Sequence, residues 1–258
     1  MRTSRDAVEL FLRRQHQYLP HLSVDCVVFG FHDGRLKILL LKWKGLDVRA
    51  LPGGYVGRRE TIDAAAARVL AERTGLARTF LRQFHAFGGV DRHESDLRRW
   101  FRAVGVAPPR QTWTFARVVS IGYYALVDAA RVEPAPDFVS ERCDWYDVPR
   151  RPRLAFDHDE IVATALAALR HDLGAGALEA PLLPERFTMP ELQRLHEAIL
   201  GRRLDRRNFQ KRMLERGVLK RLAQRRTGAA HRSPFLYRFA AGRLVPGARQ
   251  MTRPASLP

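Results

Sequence analysis

Two cysteines in 258 residues, Cys26 and Cys143, stand far apart, with no CxxC pair and no nearby histidine cluster. That scarcity excludes a disulfide framework or a zinc site, and implies idle thiols in a reducing compartment. Long apolar runs are missing as well, since no stretch approaches the roughly 20 residues of a membrane span. The first 18 residues are charged throughout and lack the apolar core of a signal peptide, so a cytoplasmic chain without a membrane partner is expected. Acidic residues are also in short supply. There are 27 Asp and Glu against 45 Lys and Arg, a net charge of +18 that favours polyanionic partners. From Pro184 onward 18 basic residues face 5 acidic ones, so +13 of the excess lies in the last part of the chain.

What is present divides into two kinds of pattern, each with apolar residues enough for its own core within the 46% hydrophobic content. Residues 5–18 set Val8, Phe11 and Leu12 at helical spacing, which predicts an amphipathic arm over 1–20 that packs on its own chain or on a partner subunit. Residues 23–31, rich in β-branched and aromatic side chains, read as a strand; Asp33-Gly34 makes a tight turn, and 36–42 returns as a second strand. Ile62, Ala65, Ala66, Val69 and Leu70 share one face of a helix over 61–73, and Gly75 ends it. Strand-like segments follow at 84–87, 118–121, 123–127 and 144–148. Between them, 91–115 is a charged excursion in which Leu97, Trp100, Phe101 and Val104 predict a short inserted helix before a Pro108-Pro109 turn. Asp157 and Glu160 form a capping pair ahead of an alanine- and leucine-rich helix that runs to about residue 173. Mixed strands around one early and one late helix describe an α/β (α+β) sandwich over 21–173, with the late helix as a bridge to the rest.

From residue 182 the pattern changes. Thr188 and Glu191 make a capping box, Leu192, Leu195, Ile199 and Leu200 form one apolar face, and Gly201 stops the helix. Asp205 then caps a second helix, with Phe209, Met213 and Leu214 read as inward-facing, and a basic loop at 224–232 lies between strand-like segments 218–222 and 235–239. This is the layout of a winged helix-turn-helix, placed at 182–245 and followed by a disordered tail at 246–258. Arg206, Arg207, Asn208, Gln210 and Lys211 carry the chemistry suited to base edges in double-stranded DNA. Thr188, Arg203, Arg212, Arg225, Arg226 and Arg232 are read as phosphate contacts.

The stretch after the first two strands carries the more specific signal. The spacing of Gly54, Glu60, Arg68, Glu72, Gly75 and Leu76 resembles the frame of a Nudix box. In that family three glutamates at the helix end bind the divalent metal that activates diphosphate cleavage, and the pattern places them at Val69, Glu72 and Arg73. Positions i, i+3 and i+4 share a helix face, so three carboxylates there would hold Mg²⁺. Here one remains, with a guanidinium beside it, and no metal site is predicted; Asp91, Glu94 and Asp96 are the only reserve. Gly53, Gly54 and the helix start are suited to cradling a phosphate, aided by Arg58, Arg59 and Arg68. The plainer alternative is that Glu60 and Arg68 form an ion pair that fixes the loop. The expected ligand-binding set is Gly53, Gly54, Arg58, Glu60, Arg68, Glu72 and Arg73.

Taken whole, the chain resembles the Nudix-related transcriptional regulators, in which a Nudix-like sensor precedes a winged helix. The match rests on Leu51-Pro52-Gly53-Gly54, Arg68-Val69-Leu70-Ala71-Glu72, Leu154-Ala155-Phe156-Asp157-His158, Leu183-Pro184-Glu185-Arg186-Phe187-Thr188 and Asp205-Arg206-Arg207-Asn208-Phe209, and it spans about 22–240. The resemblance implies a ligand-responsive DNA-binding regulator. It further implies a catalytically degenerate sensor for ADP-ribose or another sugar-type effector, no cofactor, and a homodimer on two half-sites. The competing reading is a metal-dependent Nudix hydrolase of nucleoside diphosphate sugars such as ADP-ribose, with Mg²⁺ as cofactor and Glu72 as its catalytic residue.

Overall fold

The computed structural model describes residues 3–76, 79–90, 94–107, 112–129, 134, 140–173, 180–226 and 233–240. The predicted tail, the Pro108-Pro109 turn, Asp91 and Arg232 lie outside them.

Period-two alternation builds the first module. β1 (Tyr18–His32) and β2 (Arg35–Trp43) are joined by Asp33 and Gly34, both at positive φ (51° and 72°), the two-residue turn whose twist suits a hairpin. β1 also runs parallel to β6 (Val119–Val127), which pairs in turn with β5 (Phe80–Phe87). On the other side, β2 pairs with β3 (Arg49–Ala50) and β7 (Ser140–Asp147), and β4 (Gly53–Gly57) pairs with β1. The result is one seven-stranded sheet. Val24, Cys26, Val28, Leu39, Tyr123 and Ala125 face α2 (Ile62–Thr74), whereas Val27, Phe29, Ile38, Leu40, Tyr124 and Leu126 face the other way. Both faces are therefore apolar and both are covered.

The second face is covered by α4 (His158–Asp172) and by α5 (Met189–Leu200), the first long helix of the C-terminal module. Leu192, Leu195 and Ile199 of α5 sit in the same apolar cluster as Phe29, Ile38 and Leu40. Two polar links fix this junction. Arg82 pairs with buried Asp172 at 2.9 Å while the Tyr124 hydroxyl donates to the same carboxylate at 2.8 Å, and Arg170 Nε donates to the Ile199 carbonyl at 2.8 Å. α6 (Arg206–Glu215) and the sheet β8 (Phe187–Thr188), β10 (Phe235–Phe239), β9 (Leu219–Arg225) complete the winged module.

Several expectations need correcting. The break at Gly122 is absent, because β6 runs straight through it; a β-carbon there would meet the Phe84 ring at 2.7 Å, so the glycine serves close packing. Asp157 occupies the N-cap of α4 without a side-chain cap bond. Asp159 instead accepts the Leu154 N–H at 3.0 Å and the Arg151 guanidinium at 2.8 Å. Leu214 is 45% exposed rather than inward, and Ile62 is 36% exposed. The amphipathic arm is shorter than expected, with α1 at Ser4–Arg14 and a 3-10 turn at Gln15–Gln17. The inserted helix is α3 (Glu94–Ala103).

Candidate effector cavity and DNA-facing helix

The box folds as its spacing requires. Thr61 caps α2 by accepting the Ala64 N–H at 3.1 Å, and Gly75 closes it at φ 74°. A cavity of about 350 Å³ opens beside it, lined by Gly53, Gly54, Arg68, Val69, Glu72 and Arg73 of the box. Tyr55, Asp25, His158 and Ser140 add to its wall, as do residues of α1 and α3.

Five of the seven predicted ligand residues line this space. Arg58 and Glu60 do not. Arg58 turns away, its Nε donating to the His16 carbonyl at 2.8 Å. Glu60 accepts the Gly57 N–H at 2.6 Å and two bonds from Arg68 at 2.7 and 2.9 Å, so the loop-fixing ion pair is the arrangement found. Arg68 also donates to the Tyr55 carbonyl and to Glu72, both at 2.9 Å. Burial would depress the Arg68 guanidinium, but the Glu60 hydrogen bonds and the Glu72 charge more than offset this and raise it. Burial would likewise raise the Glu60 carboxyl, and the bonds from Arg68 and Gly57 overcome it and hold the group below the ordinary glutamate range.

These residues do not fit the family's metal. Val69 is buried against Gly54, Arg73 sends its Nε to the Gly53 carbonyl at 3.2 Å, and the remaining carboxylate, Glu72, is bonded to Arg68. Of the reserve carboxylates, Asp96 accepts the Phe156 N–H at 2.7 Å and pairs with Arg99, and the Glu94 side chain lies outside the described residues. Among the described residues no group of three His, Cys, Asp or Glu side chains could hold a metal ion.

A second polar cluster in the wall escaped the sequence reading. Asp25, 6% exposed in the middle of apolar β1, accepts the Ser120 hydroxyl at 2.6 Å and lies 3.6 Å from His158 Nε2. His158 Nδ1 accepts the Leu51 N–H at 2.9 Å, so its proton sits on Nε2, facing Asp25. A β-carbon on Gly53 would run into the Asp25 carboxylate, which accounts for that glycine. The available signal was a carboxylate inside a strand of Val, Cys and Phe; its partners are 95 and 133 positions away.

On the winged module, Asp205 caps α6 through the Asn208 N–H at 2.9 Å, and Phe209 and Met213 anchor it. Arg206, Arg207, Asn208, Gln210, Lys211 and Arg212 are all exposed on its outer surface. Three predicted phosphate contacts are differently employed. Thr188 is buried, its hydroxyl donating to Glu191 and accepting the Glu191 N–H within the α5 cap, which leaves it no reach to a phosphate. Arg226 is bonded to the Glu191 carboxylate, and Arg203, almost fully exposed, pairs with Glu197 at 3.4 Å. Arg225 lies 3.9 Å over the Phe235 ring, with Arg221, missed in the sequence, at 4.0 Å from the same ring.

Comparison with known proteins fits this geometry. The family model of the NUDIX domain matches residues 19–165, more than half of the chain, and that of the NrtR DNA-binding winged helix domain matches residues 180–239. The chain belongs to the Nudix-related transcriptional regulators. Within this family it is 32% identical over 228 residues to the ADPR responsive transcriptional repressor NtrR of Acinetobacter baylyi, covering 86% of this chain and 82% of that one. It is also similar to the crystal structure of Shewanella oneidensis NrtR complexed with a 27mer DNA, at 26% identity and a TM-score of 0.63, covering 85% of this chain and 93% of that one. It is also 28% identical over 155 residues to the ADP-ribose pyrophosphatase of Methanocaldococcus jannaschii, covering 58% of this chain and 76% of that protein. No helix among the described residues is long and apolar enough to cross a membrane.

Proposed function

We propose that this regulator is a transcriptional repressor that binds double-stranded DNA through α6 and the wing, and that ADP-ribose in the Nudix-domain cavity controls that binding. The observation that carries the reading is the state of the box. Its loop and helix keep a cavity with Gly53, Gly54, Arg68 and Arg73 on its wall, while Val69 and Arg73 replace two carboxylates of the metal set. Such a site is suited to holding a diphosphate rather than cleaving it. The similarity to the Acinetobacter repressor, which extends through both modules, supports the same assignment. The protein acts as a homodimer, since a winged helix reads one half-site and two copies are needed for a palindromic operator. Its place of action is the cytoplasm, in keeping with its similarity to a transcriptional repressor.

The test is fluorescence anisotropy of the full-length protein on duplex DNA from the region upstream of its own gene. Salt-sensitive, sequence-selective binding that ADP-ribose weakens is expected. Binding indifferent to sequence and to ADP-ribose would overturn the proposal. The similarity to the pyrophosphatase keeps hydrolysis as the second reading. Metal-dependent release of AMP from ADP-ribose, abolished by Glu72→Gln, would establish it in place of sensing.

A further inference from the structure

Two walls of the cavity come from elements outside the box. α1 contributes Phe11 and Arg14, and α3 contributes Trp100. The two helices hold each other in place, because Val8 of α1 is buried in one apolar cluster with Leu97, Trp100 and Phe101 of α3. Trp43 and Phe156 pack beside them, with ring centroids of Trp43 and Trp100 5.0 Å apart and those of Trp43 and Phe156 5.4 Å apart. One side of the cavity is therefore a fixed aromatic wall.

Two groups on these walls have chemistry suited to a ligand. The Trp100 ring lines the cavity beside Trp43 and Phe156 and offers it an aromatic surface. Arg14, in the last turn of α1, lines the cavity from an exposed position, and no carboxylate of the described residues pairs with it. Arg68, by contrast, is bonded to both Glu60 and Glu72, which cancel its charge. Arg14 therefore adds a further cation to a wall that already holds Arg73, which suits the two charges of a diphosphate.

We infer that Arg14 and Trp100 determine which effector the cavity accepts. Arg14 binds the phosphates of a nucleoside diphosphate sugar, while the Trp43, Trp100 and Phe156 wall takes its planar base. The inference rests on the reading of this cavity as the effector site. It makes α3 the specificity element and α1 part of the site.

Isothermal titration of the full-length protein with ADP-ribose and with ribose 5-phosphate separates the parts. Trp100→Phe, which keeps an aromatic ring in the apolar cluster but offers the base a smaller face, should weaken ADP-ribose about fivefold and leave ribose 5-phosphate unchanged. Arg14→Gln, at an exposed helical position, should weaken both ligands about tenfold and flatten the salt dependence of ADP-ribose binding. Melting temperatures of the two variants close to that of the natural protein confirm that folding is retained. Equal affinity of either variant and the natural protein for ADP-ribose overturns the role given to that residue, and equal weakening of both ligands by Trp100→Phe overturns the base assignment. Failure of the natural protein to bind ADP-ribose at all would instead remove the effector reading on which the inference stands.

Discussion

Val69 lies so close under Gly54 that a β-carbon on the glycine would sit 2.9 Å from the valine Cγ2. Both residues line the cavity, and a position that could have held a metal ligand has become part of the core facing β1. A carboxylate at residue 69 would have to leave water for a site 1% exposed and lined by Ala65, Ala66 and Leu70. Val69→Glu should therefore cost about 2 kcal/mol or more of stability, because burying an unpaired charge is expensive. Thermal unfolding with and without Mg²⁺ checks this. A melting temperature that falls and does not recover with the metal is expected, whereas recovery specific to Mg²⁺ would show that the frame still accepts a cation.

The Glu60 and Arg68 pair ties loop to helix in a way that pH should reveal. The Glu60 carboxyl is held below its ordinary value of 4.5 in the folded protein, so the folded state binds the proton less readily than the unfolded chain. Its contribution is fully present above that ordinary value and is lost as pH falls through the lowered one. Between pH 7 and 5 the natural protein should keep this stabilisation. Below about pH 4.5 its melting temperature should drop more steeply than that of Glu60→Gln, which has no carboxylate to protonate. Parallel pH profiles for the two proteins would mean that the ion pair contributes nothing measurable.

α6 and the α5 cap make opposite predictions for DNA binding. Arg206→Ala combined with Arg207→Ala should lower affinity for the operator by at least about tenfold, with little change in stability, since both side chains are exposed. Thr188→Ala should do the reverse. Losing the capping hydroxyl costs about 1 kcal/mol of stability, while affinity per folded molecule is unchanged. Anisotropy and thermal melts on the same samples distinguish the two, and a binding defect in Thr188→Ala without destabilisation would return that residue to the DNA surface.

Sequence was a good guide wherever the determining contacts are local. The Asp33-Gly34 hairpin, the Thr188 cap and the Gly75 stop each depend on residues within four positions, and all appear as read. It was a poor guide where a side chain meets a distant partner. Nothing near Asp25 announces Ser120 or His158, and nothing near Arg226 announces Glu191. Leu214 misled because the periodicity of α6 cannot say where a short helix runs out of neighbours. The cavity itself was half legible. Its box wall followed from spacing, but the walls from α1 and α3 exist only because Val8 and Trp100 pack together across more than 90 residues of chain.

The same long-range packing bears on how the protein unfolds. Leu192 of α5 is fully buried in one cluster with Ile38 and Leu40 of the sheet, and Asp172 holds the end of α4 against Arg82 and Tyr124. The winged module therefore shares its core with the Nudix sheet instead of hanging from a linker. Scanning calorimetry should show a single cooperative transition for the full chain. Leu192→Ala should cost about 2–5 kcal/mol and move that whole transition. Two resolved transitions, with the substitution shifting only one, would mean that the modules fold independently. In that case a signal passing from the cavity to α6 could not travel through the shared core that α4 and α5 form with the sheet.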